Sequence, residues 1–155
     1  MTVFTVGYED FQIDKFVEFL RGKKIEEVAD VRKNPVSRKK GFSKNKLAAA
    51  LAGAGISYLH YGDLGVPKAW RDQNKDHKLS RERMFKKYET EILPRQTAAL
   101  SHLMTEIKAK KVALLCFESE PTECHRSFVA KNLKRKSRGK LKLIDLYSPV
   151  SAGRR

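Results

Sequence analysis

The chain has 155 residues, 41% hydrophobic and 33% charged, the size and balance of one soluble globular domain rather than a disordered chain. Lys and Arg number 33 against 18 Asp and Glu, and the resulting net charge of +15 directs attention to phosphates and polyanions as partners. No apolar run approaches the roughly 18–20 residues of a membrane span, and MTVFTVGYEDF lacks the basic-then-apolar order of a signal peptide, so a cytoplasmic protein without membrane contact is expected.

In chain order, Thr2 to Val6 is a β-branched run that reads as a buried first strand ending at Gly7. Phe11, Phe16, Val17 and Leu20 recur at helical spacing between Asp10 and Gly22, and Ile25 to Asp30 reads as a second strand. VRKNPVSRKKGF, with Pro, Ser and Gly and no periodicity, predicts a loop. Ser43 is a good N-cap for a helix carrying Leu47 and Leu51, and Ile56 to Tyr61 predicts a third strand. Gly62 to Lys78 is polar, broken by Gly65 and Pro67, and predicts a long functional or mobile loop. Ser80 opens a helix to Leu93, Pro94 breaks it, and a second amphipathic segment reaches Lys110. Val112 to Phe117 is a continuous apolar run suited to a strand buried on both faces. After a loop the helical pattern resumes near Cys124, and Leu141 to Tyr147 supplies a last strand. The expected domain is thus 1–147, with 148–155 as a basic tail frayed at the end.

This alternation predicts a single three-layer α/β domain, Rossmann-like, with a mainly parallel sheet of about five strands. Ligands in such sheets bind beyond the carboxyl ends of the strands, where strand order reverses. With the first strand taken as central, its end delivers Gly7 and Tyr8, the second Asp30 and Arg32, and the fourth Glu118. The helix that follows brings Cys124, His125 and Arg126 to the same crevice, near a helix N-terminus that favours an anion or a thiolate.

Each residue also has a plainer reading. Asp30 and Arg32 are explained by a local ion pair, Ser37 and Arg38 by loop polarity, and Gly7 by a tight turn. Tyr8 reads equally as an amphipathic lid or an acid-base group. Cys116, inside an apolar strand, reads as a core residue. Cys124 is lowered by His125 and Arg126 but raised by Glu118, Glu120 and Glu123, so a packing cysteine and a catalytic thiolate both stay open. Arg126 suits an anion clamp, and Glu118 a general base or hydroxyl ligand. His60, His77, His102 and His125 are scattered and no C-x-x-C occurs, so no metal and no cofactor are expected.

Two segments carry no acid at all. Val31 to Gly55 contains Arg32, Lys33, Arg38, Lys39, Lys40, Lys44 and Lys46; His125 to Ile144 contains Arg126, Lys131, Lys134, Arg135, Lys136, Arg138, Lys140 and Lys142. They read either as a footprint for DNA or RNA phosphates, centred on 32–46 and 126–142, or as a solvated basic surface.

TVGYEDF, VADVRKNPVSRKKGFSKNKL, GISYLHYGDLGVP and LLCFESEPTECHRSFVAKNL together resemble the domain-of-unknown-function 488 family over nearly the whole chain. The DVR-x-x-P-x-S-R pattern at Asp30 to Arg38 and E-x-x-P-x-x-CHR at Glu118 to Arg126 carry the resemblance, with Gly7, Phe42, Tyr58, Leu64, Gly65 and Tyr88 also matching. The family's first turn is often Gly-His-Ser and here is Gly7-Tyr8-Glu9, so no proton-transfer role carries over to that position. The resemblance implies a compact α/β domain of bacteria and archaea and supplies no substrate.

Three functions follow as expectations, with catalysis itself left open. The first is an enzyme acting on a nucleotide, a nucleic acid or another phosphate-containing small molecule, in which Asp30, Glu118 and Cys124 are the chemical groups. The others are a non-catalytic nucleic-acid-binding protein and a thiol-dependent enzyme using Cys124.

Overall fold

The computed structural model describes residues 1–150. Five strands form one sheet: β1 (Thr2–Gly7), β2 (Glu27–Asp30), β3 (Ser57–His60), β4 (Val112–Cys116) and β5 (Lys142–Leu146). Their order is β3-β2-β4-β1-β5 and every pairing is parallel. The apolar run Val112 to Cys116 is buried throughout because it occupies the centre of the sheet. The central strand is therefore β4, not the first strand as expected from sequence; β1 lies between β4 and β5.

Alternation along β4 decides which face each residue serves. Ala113 and Leu115 pack under α1 (Ile13–Gly22) and α2 (Lys44–Ala52), among Phe16, Leu20, Leu47 and Leu51. Val112, Leu114 and Cys116 face the opposite layer, with α5 (Thr97–Ala109) and α6 (Arg126–Lys136) contributing Leu100, Leu103, Val129 and Leu133. Each of these fully buried Leu or Phe side chains is worth roughly 1.5–3 kcal/mol over leaving it exposed. Right-handed crossovers place α1 and α2 on one face while the chain steps from β1 to β2 to β3, and α5 and α6 on the other as it returns through β4 to β5. Connections leave β4 and its neighbours toward opposite faces, so the crevice lies at the carboxyl end of β4.

The segment 62–78, expected to be a loop, holds a 3₁₀ turn at Gly62–Leu64 and the helix α3 (Lys68–Lys75). Helix α3 buries no residue fully and carries a Lys68–Asp72 pair at 2.8 Å, so it had no apolar stripe to announce it. The helix expected from Ser80 to Leu93 is α4 (Arg81–Lys87), then a π turn at Tyr88–Ile92 and a 3₁₀ turn at Leu93–Arg95 that carries Pro94. Ser80 caps α4 by accepting from the Arg83 N–H. Ser43 occupies the N-cap of α2, but its hydroxyl instead accepts from the Ser37 N–H at 3.0 Å and ties down the preceding loop. Strands β2, β3, β4 and β5 are each shorter by a residue or two than the runs that announced them, whereas β1 extends one residue further, to Gly7. Ser148 is 3% exposed, so the expected tail does not begin to fray there; 151–155 lie outside the described residues. Among the described residues no helix is long and apolar enough to cross a membrane.

Candidate active site

A cavity of about 390 Å³ opens at the carboxyl end of β4. Its lining draws on every connection at that edge: Tyr8 after β1, Arg32 to Arg38 after β2, Arg71 and Lys75 on α3, Arg81 on α4, and Cys116, Glu118, Cys124 and His125 after β4. Six cationic side chains (Arg32, Lys33, Arg38, Arg71, Lys75, Arg81) share the lining with two acids, Glu118 and Glu123, so the wall carries an excess of positive charge. Lys33, Arg38 and Lys75 make no side-chain hydrogen bond or ion pair among the described residues.

At the end of β2 the polar groups are fully engaged with one another. Asp30 is completely buried and accepts from Arg32 Nε at 2.9 Å, Arg32 Nη2 at 2.7 Å, the Arg32 N–H at 3.1 Å and the Tyr58 hydroxyl. The remaining guanidinium nitrogen of Arg32, Nη1, donates to the Tyr8 hydroxyl at 3.0 Å and the Phe42 carbonyl at 2.8 Å. Burial works against the Arg32 charge, but the hydrogen bond and charge of Asp30 more than restore it. Tyr8 stacks on Phe42 at 4.5 Å between ring centres. The ion-pair reading of Asp30 and Arg32 describes this geometry, and Asp30 does not reach the cavity lining. Tyr8 lines the cavity as a packed residue whose hydroxyl is held by Arg32.

Gly7 also differs from its reading as a turn residue. Its φ is not positive; a Cβ there would run into the Glu118 carbonyl, so glycine is needed to let the loop after β4 pass over β1. Gly65 does the same against the backbone of Lys33. Arg126 is fully buried and does not line the cavity. Instead of clamping an anion, its guanidinium donates to the carbonyls of Glu118 and Ser119, fixing the loop that presents Glu118.

The β4 end carries the groups able to do chemistry. His125, the N-cap of α6, donates from Nε2 to the Val31 carbonyl at 2.7 Å, and Tyr88 packs edge-on against its ring at 5.4 Å. Nδ1 is thereby turned toward two sulfurs, Cys116 Sγ at 3.7 Å and Cys124 Sγ at 3.9 Å. Burial alone would raise the Cys124 thiol, yet hydrogen bonds from Cys116 and His125 and the charges of His125 and Arg126 hold it well below its ordinary range. Cys116 is pushed up, first by its hydrogen bond to Cys124 and then by burial. For His125, burial favours the neutral ring but the Cys124 hydrogen bond and charge outweigh it. Desolvation, with Cys124 close by, moves the Glu118 carboxyl from its ordinary 4.5 up to about 7.

Of the residues singled out from sequence, Tyr8, Arg32, Ser37, Arg38, Glu118, Cys124 and His125 meet at the cavity, while Gly7, Asp30 and Arg126 support it from behind. Lys39, Lys40 and Lys44 flank it without lining it, Lys39 donating to the Glu9 carbonyl at 2.9 Å. Lys134, Arg135, Lys136 and Arg138 lie at the far end of α6, which runs back to the edge where Thr2 pairs with Lys142. The clusters Lys39, Lys40, Lys44 and Lys134, Arg135, Lys136, Arg138 therefore sit at opposite ends of the strands, although both basic segments begin at the carboxyl edge. Sequence reasoning missed Arg71, Lys75 and Arg81, and it read Cys116 only as core, although residue parity along β4 puts its sulfur on the α6 face beside Cys124.

A doubly wound parallel α/β protein with a cation-lined cavity at its switch point is the class that fold and site define. A family model described as "Domain of unknown function DUF488" matches residues 12–133, most of the chain, and the protein belongs to this family. The matched span contains both the 30–38 and the 118–126 patterns and leaves Gly7 and Tyr8 outside it. No curated protein and no solved structure matches the chain.

Proposed function

We propose that the cavity is the active site of an enzyme acting on a nucleotide, free or within a nucleic acid, with Glu118 as the group that transfers the proton. The observation that carries this reading is the combination in one cavity of side-chain cations without a hydrogen bond or ion pair among the described residues, an exposed aromatic ring and a single deep carboxyl. Lys33, Arg38 and Lys75 suit phosphate oxygens. Phe117 lines the cavity, is 41% exposed and meets Tyr8 edge-on at 5.3 Å, which leaves a ring available for base stacking. A longer strand would continue over Lys39, Lys40 and Lys44 and not over 134–138, which face the other edge.

The test is binding and turnover with a panel of nucleoside monophosphates and a short single-stranded oligonucleotide. Binding weakens as salt rises, and Arg38→Ala costs roughly tenfold or more in affinity, the worth of one charged hydrogen bond. Glu118→Gln abolishes turnover and leaves binding nearly intact. Absence of binding to every member at low salt removes the reading. If binding persists unchanged in Glu118→Gln but no turnover is found for either protein, the site is a binding site without catalysis.

A second reading, a thiol-dependent enzyme, is favoured by the position of Cys124 Sγ at the cavity floor beside His125 Nδ1. Alkylation of Cys124 at a rate that stays high well below pH 8 supports it, and a sluggish thiol ends it.

A further inference from the structure

We infer that Cys116, Cys124 and His125 form a binding site for a soft divalent cation, Zn²⁺ being the ion their chemistry selects. Among the described residues these three form a buried cluster of metal-ligating side chains in which Cys116 Sγ, Cys124 Sγ and His125 Nδ1 all lie within 4.8 Å of one another. A tetrahedral zinc with bonds of about 2.3 Å to sulfur and about 2.0 Å to nitrogen puts sulfur and nitrogen roughly 3.6 Å apart. The observed 3.7 and 3.9 Å differ from that by a few tenths of an ångström, within reach of a side-chain rotation.

Two further features point the same way. The His125 Nε2–H donates to the Val31 carbonyl, which fixes the ring and leaves Nδ1 as the ligating atom; backbone carbonyls play this outer-shell part at many histidine–metal sites. All three residues also line the cavity, so an ion would keep one position open to it, and Glu118 stands beside that position. Three protein ligands with an open fourth place are the pattern of catalytic zinc, whereas structural zinc is closed by four. Sequence spacing conceals the set: eight positions separate the cysteines, and only the parity of β4 and the return of the chain into α6 bring them together. Any proton carried by a thiol or by Nδ1 leaves when the ion binds.

The experiment uses the whole reduced chain, stripped with a chelator, and titrates it with Co²⁺ followed by competition with Zn²⁺. One equivalent of Co²⁺ produces thiolate-to-cobalt absorption and the intense visible bands of tetrahedral coordination, and Zn²⁺ removes both. Cys116→Ser, Cys124→Ser and His125→Gln each weaken the ion by more than the roughly 10–100-fold that losing an outer-shell partner costs. Glu118→Gln retains the spectrum. Because the titration of the unaltered chain needs no variant, a poorly folding mutant does not decide the matter. A wild-type chain that gives no thiolate band at one equivalent, or a band that survives in both cysteine variants, overturns the inference. Neither result depends on nucleotide binding, so the metal site and the nucleotide reading stand or fall separately. Protection of Cys124 from alkylation by Zn²⁺ counts for the metal site, and unprotected alkylation at saturating Zn²⁺ counts against it.

Discussion

The ends of β2 and β4 lie side by side and each carries a compact polar motif, Asp30-Val31-Arg32 in one and Cys124-His125-Arg126 in the other. They use it oppositely. At β2, every nitrogen of the Arg32 guanidinium and both oxygens of Asp30 are occupied by each other, Tyr8, Tyr58 and Phe42. At β4, two thiols, an imidazole and a carboxyl share a desolvated wall, and their proton affinities are displaced from the ordinary. A polar cluster that satisfies itself holds a structure; one left with displaced protonation and an opening to solvent is available to a ligand.

Asp30→Asn breaks this comparison most severely. It leaves the Arg32 charge buried without a counter-ion, and chemical denaturation is expected to show a loss of about 3–5 kcal/mol. Gly7→Ala comes next: the new Cβ meets the Glu118 carbonyl, a backbone atom that cannot swing aside. About 1–3 kcal/mol of stability goes, together with displacement of the loop that carries Glu118.

Glu118 sharpens the comparison through pH. Its folded value, about 7, lies above its ordinary 4.5, so the folded state favours the protonated carboxyl. The stability this contributes is fully present below pH 4.5 and is lost as pH rises through 7. In metal-free protein, Glu118→Gln should therefore be more stable than wild type at pH 8, by about 1–2 kcal/mol once solvent relaxation is allowed for, with the difference vanishing near pH 4. Melting curves across that range check the sign; a variant that loses stability at pH 8 contradicts it. The smallest effect belongs to Arg38→Ala at the exposed rim, which should move stability by no more than about 0.5 kcal/mol. A larger loss would mean that the rim helps hold the fold.

Much of the architecture was legible because buried parallel strands leave long apolar runs. VALLC and TVFTV announced β4 and β1, and Phe16 and Leu20 announced α1. Helix α3 was not legible, since a helix lying on the surface needs no apolar face. Of the site, the members next to strand ends could be named from the sequence, Glu118, Cys124 and His125 among them. Their roles could not: Arg32 and Arg126 look alike as cationic candidates, yet one is held by Asp30, Tyr8 and Phe42 and the other donates through Nη1 and Nη2 to the backbone of its own loop.

Taken alone, the order of residues determined the alternation of strands and helices, the excess of positive charge and the two motifs, because each of these is local along the chain. Tertiary structure decided that β4 is central, that the cations at 39–44 and at 134–138 sit at opposite ends of the strands, and that Cys116 faces Cys124 and His125 across less than 5 Å. Those facts depend on which strand pairs with which and on which face a side chain leaves, and neither is a property of neighbouring residues in sequence.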